Sequence, residues 1–216
     1  MKRPLLITGA VLLLDQVIKI WVKTHMSIGE QIFVLGDYFR LYFIENNGMA
    51  FGMELGGDSG KLFLSLFRVV AVLGIGYYIY RLSKEDASKH LIVAMSLIFA
   101  GAMGNIIDSV FYGQIFSFSH YGETAQLFPA EGGYAGWMHG KVVDMFYVEL
   151  FNMDRASAPS WLPDYFFGPD ERFIFFRPIF NLADASITIG VTLILIFYRQ
   201  IFGKPASKKE EAEKAA

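Results

Sequence analysis

Asp15, Lys19, Asp108, Asp144 and Asp184 all stand in strongly apolar sequence. An ionisable group in such a setting is costly and is usually turned inward for function. Asp15 and Lys19 are four residues apart, so a helix puts them on one face, acid before base, the favourable order. Asn105 and Asp108 are three apart, as are Asn181 and Asp184, so each pair shares a helical face. Asp144 interrupts a short run between Val142-Val143 and Met145-Phe146. A carboxyl there is either paired or raised in pKa. Two carboxyls held together share a proton. One can then take a proton from water while the other serves a carbonyl or leaving amine, which is aspartic peptidase chemistry. Each group also has a structural reading: an ion pair locking helices, a hydrogen-bonded amide, or, for Arg68, a side chain snorkelling from a depth of about 9 Å. Spacing does not choose the working pair among Asp15, Asp108, Asp144 and Asp184. Nor does it exclude a proton-coupled transporter or a non-catalytic membrane adaptor.

The elements that must position these groups are membrane helices. The chain has 216 residues, 54% hydrophobic and 19% charged, with mean hydropathy +0.38, too apolar for an ordinary soluble domain. Four stretches approach the roughly 20 residues needed to cross a bilayer, at about 4–22, 62–80, 91–112 and 178–202. The first follows Lys2 and Arg3 but contains Asp15 and Lys19 and lacks a small-residue cleavage site, so it reads as a retained span and not a signal peptide. With the N-terminus inside, the inner segments 1–3, 81–90 and 199–216 hold ten Lys/Arg in 31 residues; the outer segments 23–61 and 113–177 hold seven in 104. The positive-inside rule therefore expects both termini in the cytoplasm.

The expected fold is a single mainly α membrane domain, 1–202, with four spans and a disordered tail at 203–216. The outer region 23–61 is rich in aromatic and β-branched residues around Gly36-Asp37 and reads as a hairpin or small sheet. The outer segment 113–177 is too aromatic for a plain linker and reads as an extended loop, a lid or platform at the membrane surface. There is no cysteine and the net charge is −2. That removes thiolate chemistry and the electrostatic footprint of nucleic-acid binding. His25, His90, His120 and His139 lie in no serine-triad or zinc-peptidase motif and read as surface or interfacial residues. No metal or cofactor is expected.

Five short motifs occur in order: DQVIK at 15–19, NNGMAFG at 46–52, GNIID at 104–108, VVDM at 142–145 and FNLAD at 180–184. Each is weak alone. Together, on four spans, they make the chain resemble the lipoprotein signal peptidase family, the bacterial type II signal peptidases, over roughly residues 5–200. The resemblance implies a four-span aspartic endopeptidase of the inner membrane, working near its outer face. Its substrate would be a diacylglyceryl-modified prolipoprotein, cut immediately before the lipidated cysteine. Asp144 and Asp184 would be the catalytic acids, with Asp108 supporting. Asn105 and Asn181 would line the site and orient the acids; Asp15, Lys19 and Asn47 would hold its architecture or contact substrate. The outer sheet at 31–53 would be the family's substrate cradle. The resemblance further implies a globomycin-type inhibitor and no cofactor; a monomer is the expected state. Two features depart from the pattern. Ser109 stands where the family usually has Arg, and Arg68 is the candidate substitute. The connections at about 113–140 and 150–176 are longer than usual.

Overall fold

A computed structural model describes residues 2–48, 57–85, 87–168, 171–174 and 178–202. Residues 49–52 of the NNGMAFG motif and the tail 203–216 lie outside the described residues.

Helix α1 runs over Lys2–His25, α2 over Gly57–Leu82, and α3 over Lys89–Ile107. A π-helical turn, Asp108–Tyr112, and a single α turn, α4 (Gly113–Ile115), prolong α3. The stretches Lys2–His25, Ser59–Leu82 and Lys89–Ile115 are long and apolar enough to cross a membrane. The fourth apolar helix, α5 (Leu182–Ile196), has 15 residues, and a turn at Phe197 separates it from α6 (Tyr198–Phe202). It starts later than the apolar stretch because Phe180 is extended and bridges Phe146, with Asn181 as the helix cap.

The helices are inverted relative to those of a water-soluble bundle. On α1, Asp15, Lys19 and Lys23 are buried, while Leu5, Leu6, Leu13, Leu14 and Val17 are exposed. On α2 the exposed residues include Phe63, Phe67, Val70 and Leu73, and on α5 Ile189, Leu195 and Ile196. An apolar exterior around a polar interior is stable only where hydrocarbon is the solvent.

Helix α3 packs on α1, α2 and α5. Its approach to α5 is backbone on backbone. A Cβ on Gly101 would lie 2.2 Å from the Ala183 carbonyl oxygen, and one on Gly190 would lie 2.7 Å from that of Ala94. Small residues permit this closeness, which replaces the hydrophobic drive that lipid cannot supply between helices.

Outside the helices, β1 (Gln31–Leu35), β2 (Phe39–Asn46) and β3 (Val142–Val148) form an antiparallel sheet in the order β1-β2-β3. Gly36, at φ +52°, turns β1 into β2, as the Gly36-Asp37 pair led one to expect. The sheet, the end of α1 and residues 112–125 share a core of Val22, Met26, Phe43, Tyr112, Phe116, Ala125, Val143 and Met145. Residues 113–141 are largely exposed but anchor to this core through Phe116 and Ala125 and through main-chain bonds. The Phe128 amide donates to Ile115, that of Tyr134 to Phe116, and that of Gly140 to Ser109. The Ser65 hydroxyl of α2 donates to the Met138 carbonyl at 2.9 Å. Farther on, β4 (Asn152–Asp154) and β5 (Arg172–Ile174) pair as a separate ribbon. The base of this ribbon is held by Glu149, which binds Arg40, Asn152 and Arg172.

Candidate active site

Strand β3 carries Asp144, and the first turn of α5 carries Asp184. Their elements are tied where the Met145 and Phe146 amides donate to the Phe180 carbonyl, at 3.2 and 2.7 Å. The next residue, Asn181, is fully buried and joins both acids. Its side-chain oxygen accepts the Asp184 amide at 2.9 Å, and the Asp184 carboxylate returns to the Asn181 amide at 3.4 Å. This reciprocal cap satisfies the free donors at the start of α5. The Asn181 Nδ2 donates to Asp144 Oδ1 at 2.7 Å. It also donates to Asn105 Oδ1 at 3.1 Å, and Asn105 Nδ2 donates to Asp184 Oδ1 at 2.7 Å. Two asparagines thus bridge two acids from three elements.

Asp144 is only 2% exposed. Burial, and then the negative charge of Asp184, push its carboxyl up to about 7. Asn46 Nδ2, at 3.0 Å from Oδ2, and Asn181 act against that rise by donating to the charged form. Asp144 is therefore held protonated to higher pH than an ordinary carboxyl.

Beneath the acids lies a second network. Lys19 Nζ reaches Asp108 at 2.8 Å, Asp15 at 3.0 Å and Asn105 Oδ1 at 2.9 Å, using its three donors. Asp15 Oδ1 accepts the Ala183 amide at 2.9 Å, and Asp108 Oδ2 accepts that of Val143 at 3.2 Å. Gln16 donates to Asp108 at 3.0 Å and accepts from the Tyr112 hydroxyl at 3.1 Å. One cation against two carboxylates, all essentially unexposed, holds α1, α3, β3 and α5 together. Lys19 acts on the acids through Asn105.

The remaining candidates fall in three places. Asn47 is exposed and accepts from Lys61 at 3.2 Å. Its neighbour Asn46 is the one that reaches Asp144. Arg68 donates to the Gly48 carbonyl and is within electrostatic reach of Asp184. Ser109 turns back to the Asn105 carbonyl at 2.9 Å. His25 and His90 stack on Trp21 and Phe197, His120 lies tilted against Phe118, and His139 Nδ1 lies 2.8 Å from the Trp137 carbonyl oxygen. Asn46 and Gln16 were missed in the sequence reading although each adjoins a residue that was singled out.

Residues 7–200 match the family profile described as signal peptidase (SPase) II. The chain belongs to the signal peptidase II family. It is therefore a peptidase, and the transporter and adaptor readings fall away. A lipoprotein signal peptidase of Porphyromonas gingivalis is 53% identical over 191 residues, 87% of this chain and 78% of that protein. One of Amoebophilus asiaticus is 38% identical over 203 residues, 93% and 79% of the two chains. Among solved structures, a bacterial membrane enzyme determined by the in meso method at 2.3 Å superposes with a TM-score of 0.59. It is 25% identical, and the match covers 96% of this chain and 94% of that one. The mainly helical membrane fold with small antiparallel sheets is thus similar to that of a bacterial membrane enzyme.

Proposed function

We propose that Asp144 and Asp184 are the catalytic pair of a lipoprotein signal peptidase that cuts diacylglyceryl-modified prolipoproteins immediately before the lipidated cysteine. The observation that carries this reading is the buried bridge through Asn181, one side chain bonded to both acids' residues. The bilayer is the bacterial inner membrane. Four spans cross it, with α5 and α6 forming the fourth, both termini are cytoplasmic, and the acids lie toward the outer face. The substrate arrives sideways from the lipid with its acyl chains still in the membrane, and β1–β2–β3 supports its peptide.

The pair works with one proton between its carboxyls. The ionised acid takes a proton from water, whose oxygen attacks the scissile carbonyl carbon. The protonated acid hydrogen-bonds the carbonyl oxygen and stabilises the negative charge that develops there. Collapse breaks the C–N bond, and the proton passes to the cysteine amine as it leaves. The pair titrates as a unit. Asn105 and Asn181 orient the carboxyls, and Asp15, Lys19 and Asp108 brace them. Chain residues alone supply these steps; no cofactor is invoked. A globomycin-type peptide would occupy the same cleft.

The test is a gel-shift assay in liposomes with a diacylglyceryl-modified prolipoprotein, comparing wild type with Asp144→Asn and Asp184→Asn. Cleavage by wild type alone is expected. Clear cleavage by both folded variants would refute the pair.

A further inference from the structure

A further buried charge centre, which does not touch the acids directly, lies where the end of α1, the end of β2 and residues 113–141 meet. Lys23 is fully buried, and its ammonium pairs with Glu45, whose side chain is 4% exposed. Lys23 Nζ also donates to the Ser119 hydroxyl at 2.7 Å, which in turn donates to Glu45 Oε1 at 2.8 Å. Lys141 reaches Glu45 Oε2 at 3.5 Å. The rings of Phe116 and Tyr134 lie 5.3 and 5.0 Å from the Lys23 ammonium. The Lys23 carbonyl accepts the Ala125 amide at 3.1 Å. Burying an ammonium and a carboxylate costs several kcal/mol per ion before their attraction is counted. What the pair adds is direction, since it fixes one point of β2 against the end of α1, with Ser119 and Lys141 tying residues 113–141 to the same point.

That point adjoins the acids. Glu45 pairs across the sheet with Val143, and each is one residue from a site group, Asn46 and Asp144. Val143 donates its amide to Asp108 and its carbonyl accepts from Asn181. Beyond Asn46 the strand ends.

We propose that Lys23 and Glu45 are positioning residues whose ion pair pins the end of β2 to the end of α1, with Ser119 and Lys141 of the 113–141 segment bonded to it, and so keeps the Asn46 amide on Asp144. This rests on Asp144 being a catalytic acid. The insertion is then a fixed brace for the site. Asp144 faces Asp184 from α5 and Lys19 from α1, with Asn46 contributing from β2. Glu45 faces Lys23 from α1 and Lys141 from the insertion. Losing the Asn46 donor removes a bond that favours the charged carboxylate. The proton shared by the pair is then held to higher pH, and the alkaline limb of the activity profile moves up.

The test is a cycle in proteoliposomes of wild type, Asn46→Ala, Lys23→Met/Glu45→Met and the triple variant. The Met pair is chosen because replacing both members of a buried ion pair by apolar residues commonly preserves folding. Cleavage is followed against pH, and hydrogen exchange is followed in the peptide 43–48. Asn46→Ala is expected to raise the alkaline limb by about half a pH unit or more. The Met pair should raise it similarly, the triple variant should add nothing, and exchange in 43–48 should quicken about tenfold in the Met pair. Additive shifts in the triple variant would overturn the proposal, because Glu45 would then not act through Asn46. Unchanged exchange in the Met pair would overturn it as well. Faster exchange with no pH shift in any variant, Asn46→Ala included, would support the pin and count against Asp144 as the titrating acid.

Discussion

Replacing Asp144 by Asn should change how stability depends on pH, independently of any substrate. The carboxyl is pushed up to about 7, first by burial and then by Asp184, against about 3.9 in an unfolded chain. A carboxyl raised in the folded state stabilises it fully only below the unfolded value. That contribution is lost as pH rises toward and through the folded value. The gap of about three units, at ~1.4 kcal/mol each, makes the full loss about 4 kcal/mol. Between about pH 5 and about pH 8 the wild type should lose roughly 2.5 kcal/mol through this group. The asparagine variant carries no ionisable group there and should lose none of it. Its amide meets two donors, from Asn46 and Asn181, at a cost of about 1–3 kcal/mol that does not vary with pH. The readout is therefore the difference between the two proteins as pH changes. For a chain of this size each kcal/mol moves Tm by about 2–4 °C, so the variant should gain roughly 5–10 °C on wild type between the two conditions. Thermal unfolding in one detergent across that range would show it. Parallel Tm curves for the two proteins would refute the reasoning, because Asp144 would then titrate alike folded and unfolded.

Replacing Asp108 by Asn leaves Lys19 paired with Asp15 alone and should cost about 1–3 kcal/mol of stability, so activity and Tm should fall together; an inactive variant with normal Tm would make Asp108 a direct participant. Arg68→Ala removes the charged donor to the Gly48 carbonyl and should lower kcat/KM about tenfold; full activity would show that this tether is dispensable. Gly101→Val puts side-chain carbons where the Ala183 carbonyl lies and should destabilise by at least ~1–3 kcal/mol, measured by thermal unfolding, whereas Gly9→Ala, with open space around it, should be neutral.

Much of the candidate site was readable because its residues recur at helical spacing in apolar surroundings. Asn105 with Asp108, Asn181 with Asp184, and Asp15 with Lys19 all declare a shared face. The hairpin was readable from Gly36-Asp37. The choice between Asn46 and Asn47 was not, since β2 ends at Asn46 and only where the strand stops and how it registers with β3 decide which meets Asp144. Lys23 and Glu45 were hidden for a different reason. They are 22 residues apart and share no helical or strand period, and each by itself reads as an ordinary solvated charge. Their pairing depends on how β2 packs against the end of α1, and nothing local in the chain announces that. The start of α5 was placed too early because hydropathy continues through residues 178–180, whereas Phe180 is used in strand pairing.

The seam between α3 and α5 has a mechanical consequence. At Gly101 and Gly190 the two helices approach through main chain, the Ala183 and Ala94 carbonyls lying against the glycines with the Ile187 and Ile98 side chains packed beside them, so little room is left to rearrange. Such a joint neither slides nor parts by small steps; it holds or it separates along its whole length. Helix α2 meets α3 differently, with Gly76 against the Phe99 ring, a contact that can yield by rotating one side chain. If an acyl-bearing peptide is to slip between helices, the compliant wall is the one at α2, and α3 with α5 is the rigid post against which it swings.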